Sequence, residues 1–114
     1  MNLTSKTENG VLVLTPDTTR IDAASAVHIK DQFREATSDV DGRVVMDLTL
    51  VTFMDSSGLG AMVSALKLLR GRRLELAGLT PVVEKVFKLT QMDQVFIIHP
   101  DLQSAVSGNG ANAA

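Results

Sequence analysis

The run RVVMDLTLV, residues 43–51, places apolar side chains at Val44, Val45, Met46, Leu48, Leu50 and Val51. A strand with one wet face alternates apolar and polar residues, and this one does not. It reads as a central strand covered on both faces, so the chain must build neighbours beside it and layers on either side.

The rest of the sequence supplies those parts in alternation. LTSKT and VLVLT flank ENG, and Asn9-Gly10 is the dipeptide that accepts the positive φ of a type I′ hairpin turn. PDTTRID reads as a loop ending in Asp22, a helix N-cap. Ala26, Ile29, Phe33 and Ala36 then recur on one helical face, with His28, Lys30, Asp31, Arg34 and Glu35 mostly on the others, until SDVDG breaks the helix. Beyond the central strand, Leu59, Met62, Val63 and Leu66 mark a second helix, and Gly71 stops it. RRLELAG is a strand, and Thr80-Pro81 opens a helix with Val83, Val86, Phe87 and Leu89 on its apolar side. VFIIH is a last strand, Pro100 opens a short final helix, and SGNGANAA, residues 107–114, reads as a flexible tail. The order ββαβαβαβα predicts one α/β domain over residues 1–106, its sheet mixed but mainly parallel, with an N-terminal hairpin and helices packed on it.

Composition removes several classes of function. Apolar residues make up 45% of the 114, which excludes a disordered chain. A net charge of −2 argues against nucleic-acid and anionic-membrane partners. The absence of cysteine excludes disulfides and thiolate chemistry. No window approaches the ~18 apolar residues of a membrane span, and the first ten residues do not resemble a secretory signal, so a soluble cytoplasmic protein is expected.

The chemistry concentrates in MDSSGLG, residues 54–60, where strand gives way to helix. Asp55, Ser56 and Ser57 are ordinary capping residues, because their side-chain oxygens satisfy unpaired amides. One cap needs one hydroxyl, however. With Ser57 as cap, Ser56 is surplus, at the exposed lip of a loop beyond the carboxyl end of a strand, where α/β sheets place their sites. The helix N-terminus favours an anion, and Gly58 and Gly60 lack the Cβ that would keep another backbone away. Such a site can accept a phosphoryl group.

MDSSGLG after an apolar strand, with the hairpin, RID and LTPVVEKVFKLT in order, resembles a STAS domain over about residues 3 to 106. It is most similar to the stand-alone anti-sigma factor antagonists of bacterial partner-switching systems. Two loops depart from that pattern: TTRID stands where Gly-Glu-Leu-Asp is usual, and QMDQV where Gly-Leu is usual. The resemblance implies Ser56 as phosphoacceptor, Asp55 as its acidic neighbour and Asp22 as the acid ending the second strand. It implies an anti-sigma factor that is also a serine kinase, a serine phosphatase, and ATP that belongs to the kinase. No cofactor or metal is expected, nor an oligomer of the free protein. Met54, Asp55, Ser56, Ser57, Gly58, Leu59, Gly60 and Ala61, with Asp22, form the expected docking surface. The second stripe on that helix, Ala61, Ala65 and Leu68, is either core or the apolar centre of a transient interface. STAS domains also serve as fixed subunits of transporters and stressosomes, which is the alternative function.

An enzyme fits less well. A nucleophile elbow needs Gly-x-Ser-x-Gly, but Asp55 stands where the first glycine should precede Ser57. His28 and His99 read as surface or packing residues rather than bases. There is no Gly-x-x-x-x-Gly-Lys-Ser/Thr loop, and Val63 occupies the third glycine's place of a dinucleotide fingerprint. Lys67, Arg70, Arg72 and Arg73 gather around Gly71, where cations offset the negative end of a helix.

Overall fold

The computed structural model describes residues 1–107; of the expected tail, 108–114 lie outside the described residues. Strands β1 (Leu3–Glu8) and β2 (Val11–Pro16) form the antiparallel hairpin. Asn9 and Gly10 have φ of 52° and 78°, the two positive values a type I′ turn requires. A two-residue strand, β3 (Arg20–Ile21), leads into helix α1 (Ala23–Thr37), and β4 (Val44–Asp47) follows. A second two-residue strand, β5 (Phe53–Met54), leads into α2 (Ser56–Leu68). Then come β6 (Glu75–Ala77), α3 (Pro81–Leu89), a 3-10 turn at Met92–Gln94, β7 (Ile97–His99) and α4 (Leu102–Val106).

The main sheet runs β1-β2-β4-β6-β7, antiparallel only at the hairpin, as expected from the sequence. β4 is the middle strand, and Val44, Val45 and Met46 are all buried, as its density of apolar residues requires. Alternation divides its two faces. Val44 and Met46, with Leu14, Leu74 and Leu76, meet Ile29, Phe33, Met62, Ala65, Val83 and Phe87 from the three longer helices. Val45, with Val11, Val13 and Ala77, meets Ala105 and Val106 of α4. Phe87 and Phe96 pack edge to face, with ring centroids 5.6 Å apart.

Several expectations need correction. The strand expected over 43–51 ends at Asp47, because the Asp47 carboxylate accepts a bond from the Thr49 amide and turns the chain. Leu50 is therefore exposed. The loop PDTTRID contains β3, which pairs in parallel with β5 as a small separate sheet. Thr80 occupies the N-cap position of α3, but its hydroxyl donates instead to the Val51 carbonyl at 2.7 Å. Leu89 points outward and is 75% exposed. α4 opens at Leu102 rather than at Pro100, and Asp101 caps it by accepting from the Ser104 amide.

Candidate functional site

β3 and β5 lie side by side with Arg20 opposite Phe53 and Ile21 opposite Met54. Ile21 and Met54 point into the core. Period two then turns Arg20, Asp22, Phe53 and Asp55 toward the other face. Each strand passes directly into a helix capped by an aspartate. Asp22 accepts from the Ser25 amide at 3.2 Å, and Asp55 from the Gly58 amide at 3.0 Å. Two helix N-termini therefore start abreast, each with a carboxylate at its cap. The Ser25 amide holds Asp22 ionised below the usual carboxylate range, and the Ser25 hydroxyl and the charge of Arg20 add to this.

The capping role overturns the expectation that Ser57 serves as cap. Asp55 is the N-cap, Ser56 and Ser57 are the first two helical residues, and both are exposed. Their amides belong to the first turn and have no intrahelical acceptor. The Ser56 hydroxyl is thus spare at the positive end of a 13-residue helix.

The two glycines have different jobs. A Cβ on Gly58 would lie 2.9 Å from Ile21 Cγ2 and 2.9 Å from Met54 Cγ, and would also strike the Ile21 carbonyl. The bare residue lets the first turn of α2 sit against β3. At Gly60 a Cβ would meet nothing within 4 Å, and the residue is exposed. Only Gly60 leaves its space open to another molecule.

Of the nine expected docking residues, Ser56, Ser57 and Gly60 are exposed, and Asp22, Asp55 and Leu59 half-buried. Met54, Gly58 and Ala61 are buried and can act only by shaping the turn. The stripe continuing from Ala61 is core: Ala65 is fully buried and Leu68 half-buried against the core cluster.

Sequence reasoning missed Arg20 and Phe53. The Arg20 guanidinium lies 4.1 Å from the centroid of the Phe53 ring, and its Nε is 3.7 Å from Asp22 Oδ2. The only local signal is that Arg20 and Asp22 flank an inward Ile21, an alternation too short to read without its pairing partner.

The remaining candidates fall elsewhere. His28 is exposed on α1. His99 is buried, with Nε2 2.8 Å from Glu75 Oε1. Arg72 donates to the Gly42 and Leu69 carbonyls, and Arg73 to those of Gln94 and Phe96, so much of the basic spot ties loops together. Clefts of about 580 and 400 Å³ open in that region, at the far ends of α1 and α2 from the serines. Among the described residues no group of three His, Cys, Asp or Glu could hold a metal, and no helix is long and apolar enough to cross a membrane.

Residues 2–105 match the family model described as "STAS domain". The anti-sigma-B factor antagonist of Listeria monocytogenes is 36% identical over 94 residues, which span 80% of this chain and 81% of that protein. An anti-sigma factor antagonist from Mycobacterium paratuberculosis shares the fold with a TM-score of 0.82 at 22% identity, over 93% of this chain and 91% of that one. The same fold occurs within the murine anion transporter Solute Carrier 26 family member A9 (TM-score 0.72, 18% identity), where the match covers 85% of this chain but only 17% of the transporter.

Proposed function

The chain belongs to the STAS-domain family, among its anti-sigma factor antagonists, and we propose that it is a switch controlled by phosphorylation of Ser56. It is a regulatory binding protein rather than an enzyme. Unmodified, its Asp55–Gly60 turn docks in the cytoplasm on an anti-sigma factor that is also a serine kinase. That kinase uses its own ATP to modify Ser56 and thereby loses its grip. A serine phosphatase restores the docking form.

One observation carries this reading: Ser56 is exposed at the first position of α2 while Asp55 does the capping. The fold therefore does not need the hydroxyl. A phosphate placed there finds the helix dipole and free amides, so modification need not melt the helix. It also brings about −1.5 to −2 charges beside Asp55 and Asp22. A charge left without a partner in a desolvated interface costs about 2–5 kcal/mol. That is a loss of affinity from roughly thirtyfold to several thousandfold, enough to separate the partners without refolding either one.

The test combines the purified protein with ATP and the serine kinase encoded nearest to it in its genome, followed by phosphosite mapping and calorimetric binding. Phosphate on Ser56, retained binding by Ser56→Ala and lost binding by Ser56→Asp are expected. Modification at Ser57 alone, or equal affinity of the modified and unmodified forms, overturns the proposal.

A further inference from the structure

We propose that Arg20 is the internal ion-pair partner of the phosphate on Ser56, donating to its oxygens, so that modification re-pairs the turn within the protein as well as charging its surface. The inference rests on the reading of Ser56 as the modified residue and adds a residue that decides how well the two forms are told apart.

In the unmodified protein the Arg20 guanidinium is only loosely engaged. Its side chain is 60% exposed, its ion pair with Asp22 is long at 3.7 Å, and its remaining partner is the Phe53 ring. An exposed ion pair of this kind and an exposed cation–ring contact each contribute little. A phosphate that can be reached outcompetes both, because it offers three acceptor oxygens and a double charge to a planar fork of donors.

The register makes it reachable. Arg20 pairs with Phe53, the first residue of β5, and Ser56 opens α2 three residues later, so at most about 10 Å of extended chain separates the serine from the arginine's partner. The arginine already leans that way, since its Nε lies toward Asp22, the residue that follows β3 and caps α1.

Competing charges near the turn are few. Asp22 and Asp55 are acids and repel a phosphate. His28 lies more than one turn into α1, Lys30 and Arg34 about two or more, and Lys67 about three turns into α2. α3 packs against β5 and brings Glu84, Lys85 and Lys88, of which Glu84 and Lys88 pair at 3.9 Å. Arg20 and Lys85 are therefore the bases to compare.

Two effects follow. The pair stabilises the modified protein when it is free, and docking on the turn must either break it or desolvate both of its charges, so either cost adds to the discrimination. It also draws the guanidinium off Phe53 and uncovers an aromatic ring on the face that the partner reads.

The experiment installs phosphoserine at position 56 by stop-codon suppression, which removes any dependence on a kinase. The second ionisation of the phosphate is followed by phosphorus NMR in the otherwise unchanged chain and with Arg20→Gln, Arg20→Lys or Lys85→Gln. Melting curves of the unmodified variants check that each is folded. An arginine in contact lowers that pKa by about half a unit or more relative to Arg20→Gln. Arg20→Lys should keep part of the shift and Lys85→Gln all of it. An unchanged pKa in Arg20→Gln, or a shift lost with Lys85→Gln instead, overturns the role of Arg20. Binding of the same phosphoprotein to the anti-sigma factor separates the two ideas: undiminished binding sinks the switch itself, whereas lost binding with no Arg20-dependent shift sinks only the pairing.

Discussion

Replacing Arg43 by methionine tests how the α4 face of the sheet is held. Glu75 opens β6 with its side chain 4% exposed, on the same face as Ala77, toward the small helix rather than the three longer ones. Arg43 meets it through two parallel bonds, Nε to Oε2 at 2.9 Å and Nη2 to Oε1 at 2.6 Å. His99 adds a third bond, and Arg43 Nη2 also donates to the Ala105 carbonyl of α4 at 2.7 Å. Removing one member of a buried pair strands the other, at a cost of about 3–5 kcal/mol. His99 still bonds Glu75 in the variant, so the lower part of that range, about 3–4 kcal/mol, is expected at neutral pH. At about 3–6 °C per kcal/mol for a chain of this length, Tm should fall by roughly 10–20 °C. The chain has no tryptophan or tyrosine, so circular dichroism during urea or thermal unfolding is the suitable probe.

The pH dependence makes this more than a loss of packing. Burial alone would raise the Glu75 pKa, but the bonds and charges of Arg43 and His99 outweigh it and hold the group below its ordinary value. A carboxylate depressed by folding stabilises above its unfolded pKa, and that stability is lost as pH falls through the folded value. The gap between the parent protein and Arg43→Met should therefore be widest at neutral pH. As pH falls through the lowered folded value it should narrow, because a protonated Glu75 no longer leaves a buried charge stranded in the variant. A gap that does not change from pH 7 to pH 3, or one under about 1 kcal/mol throughout, refutes the account of a buried ion pair.

Two further outcomes follow from the serine turn. Gly58→Ala must displace the Ile21 backbone carbonyl as well as the Ile21 and Met54 side chains and should cost about 3 kcal/mol or more, while Gly60→Ala meets no neighbour and should be neutral or stabilising by about 0.5–1 kcal/mol, as urea midpoints will show. Asp55→Ala removes the cap of α2 and should cost about 1 kcal/mol, whereas Ser57→Ala should leave the melting temperature unchanged, since the aspartate and not the serine holds the Gly58 amide.

What could be read from the residues alone depended on how far apart the interacting groups lie in the chain. Asn9-Gly10, the spacing of Ile29 and Phe33, and the unbroken run Val44–Met46 are local patterns, and the hairpin, α1 and the central strand appear where those patterns place them. The small sheet of β3 and β5 was illegible because two residues show no period and their partners are 33 residues away. Leu48 to Val51 looked like more strand because those side chains are apolar, yet one aspartate oxygen bends the chain after Asp47. Ser57 looked like the cap, but Asp55 has the acidic oxygen and the extended backbone of one, with ψ near −170°. The Arg43–Glu75–His99 cluster joins groups 32 and 24 residues apart and left no trace in any local window. The place of Ser56 at the start of α2 was legible from the motif; Arg20, in the small sheet that leads into that helix, was not.

The anchoring of α4 bears on how the chain acquires its shape during synthesis. Its last carbonyls are held by residues made long before it: Arg43 binds Ala105, and the Asn9 side chain binds Val106 at 2.8 Å, 97 positions later. Until residues 102–106 have left the ribosome, Val11, Val13, Val45 and Ala77 have no lid, and a nascent domain with the rest of its sheet assembled still shows water a greasy flank. A chain stopped before Leu102 should therefore collect into aggregates through that flank, even though the serine turn, on a different part of the molecule, would already be built.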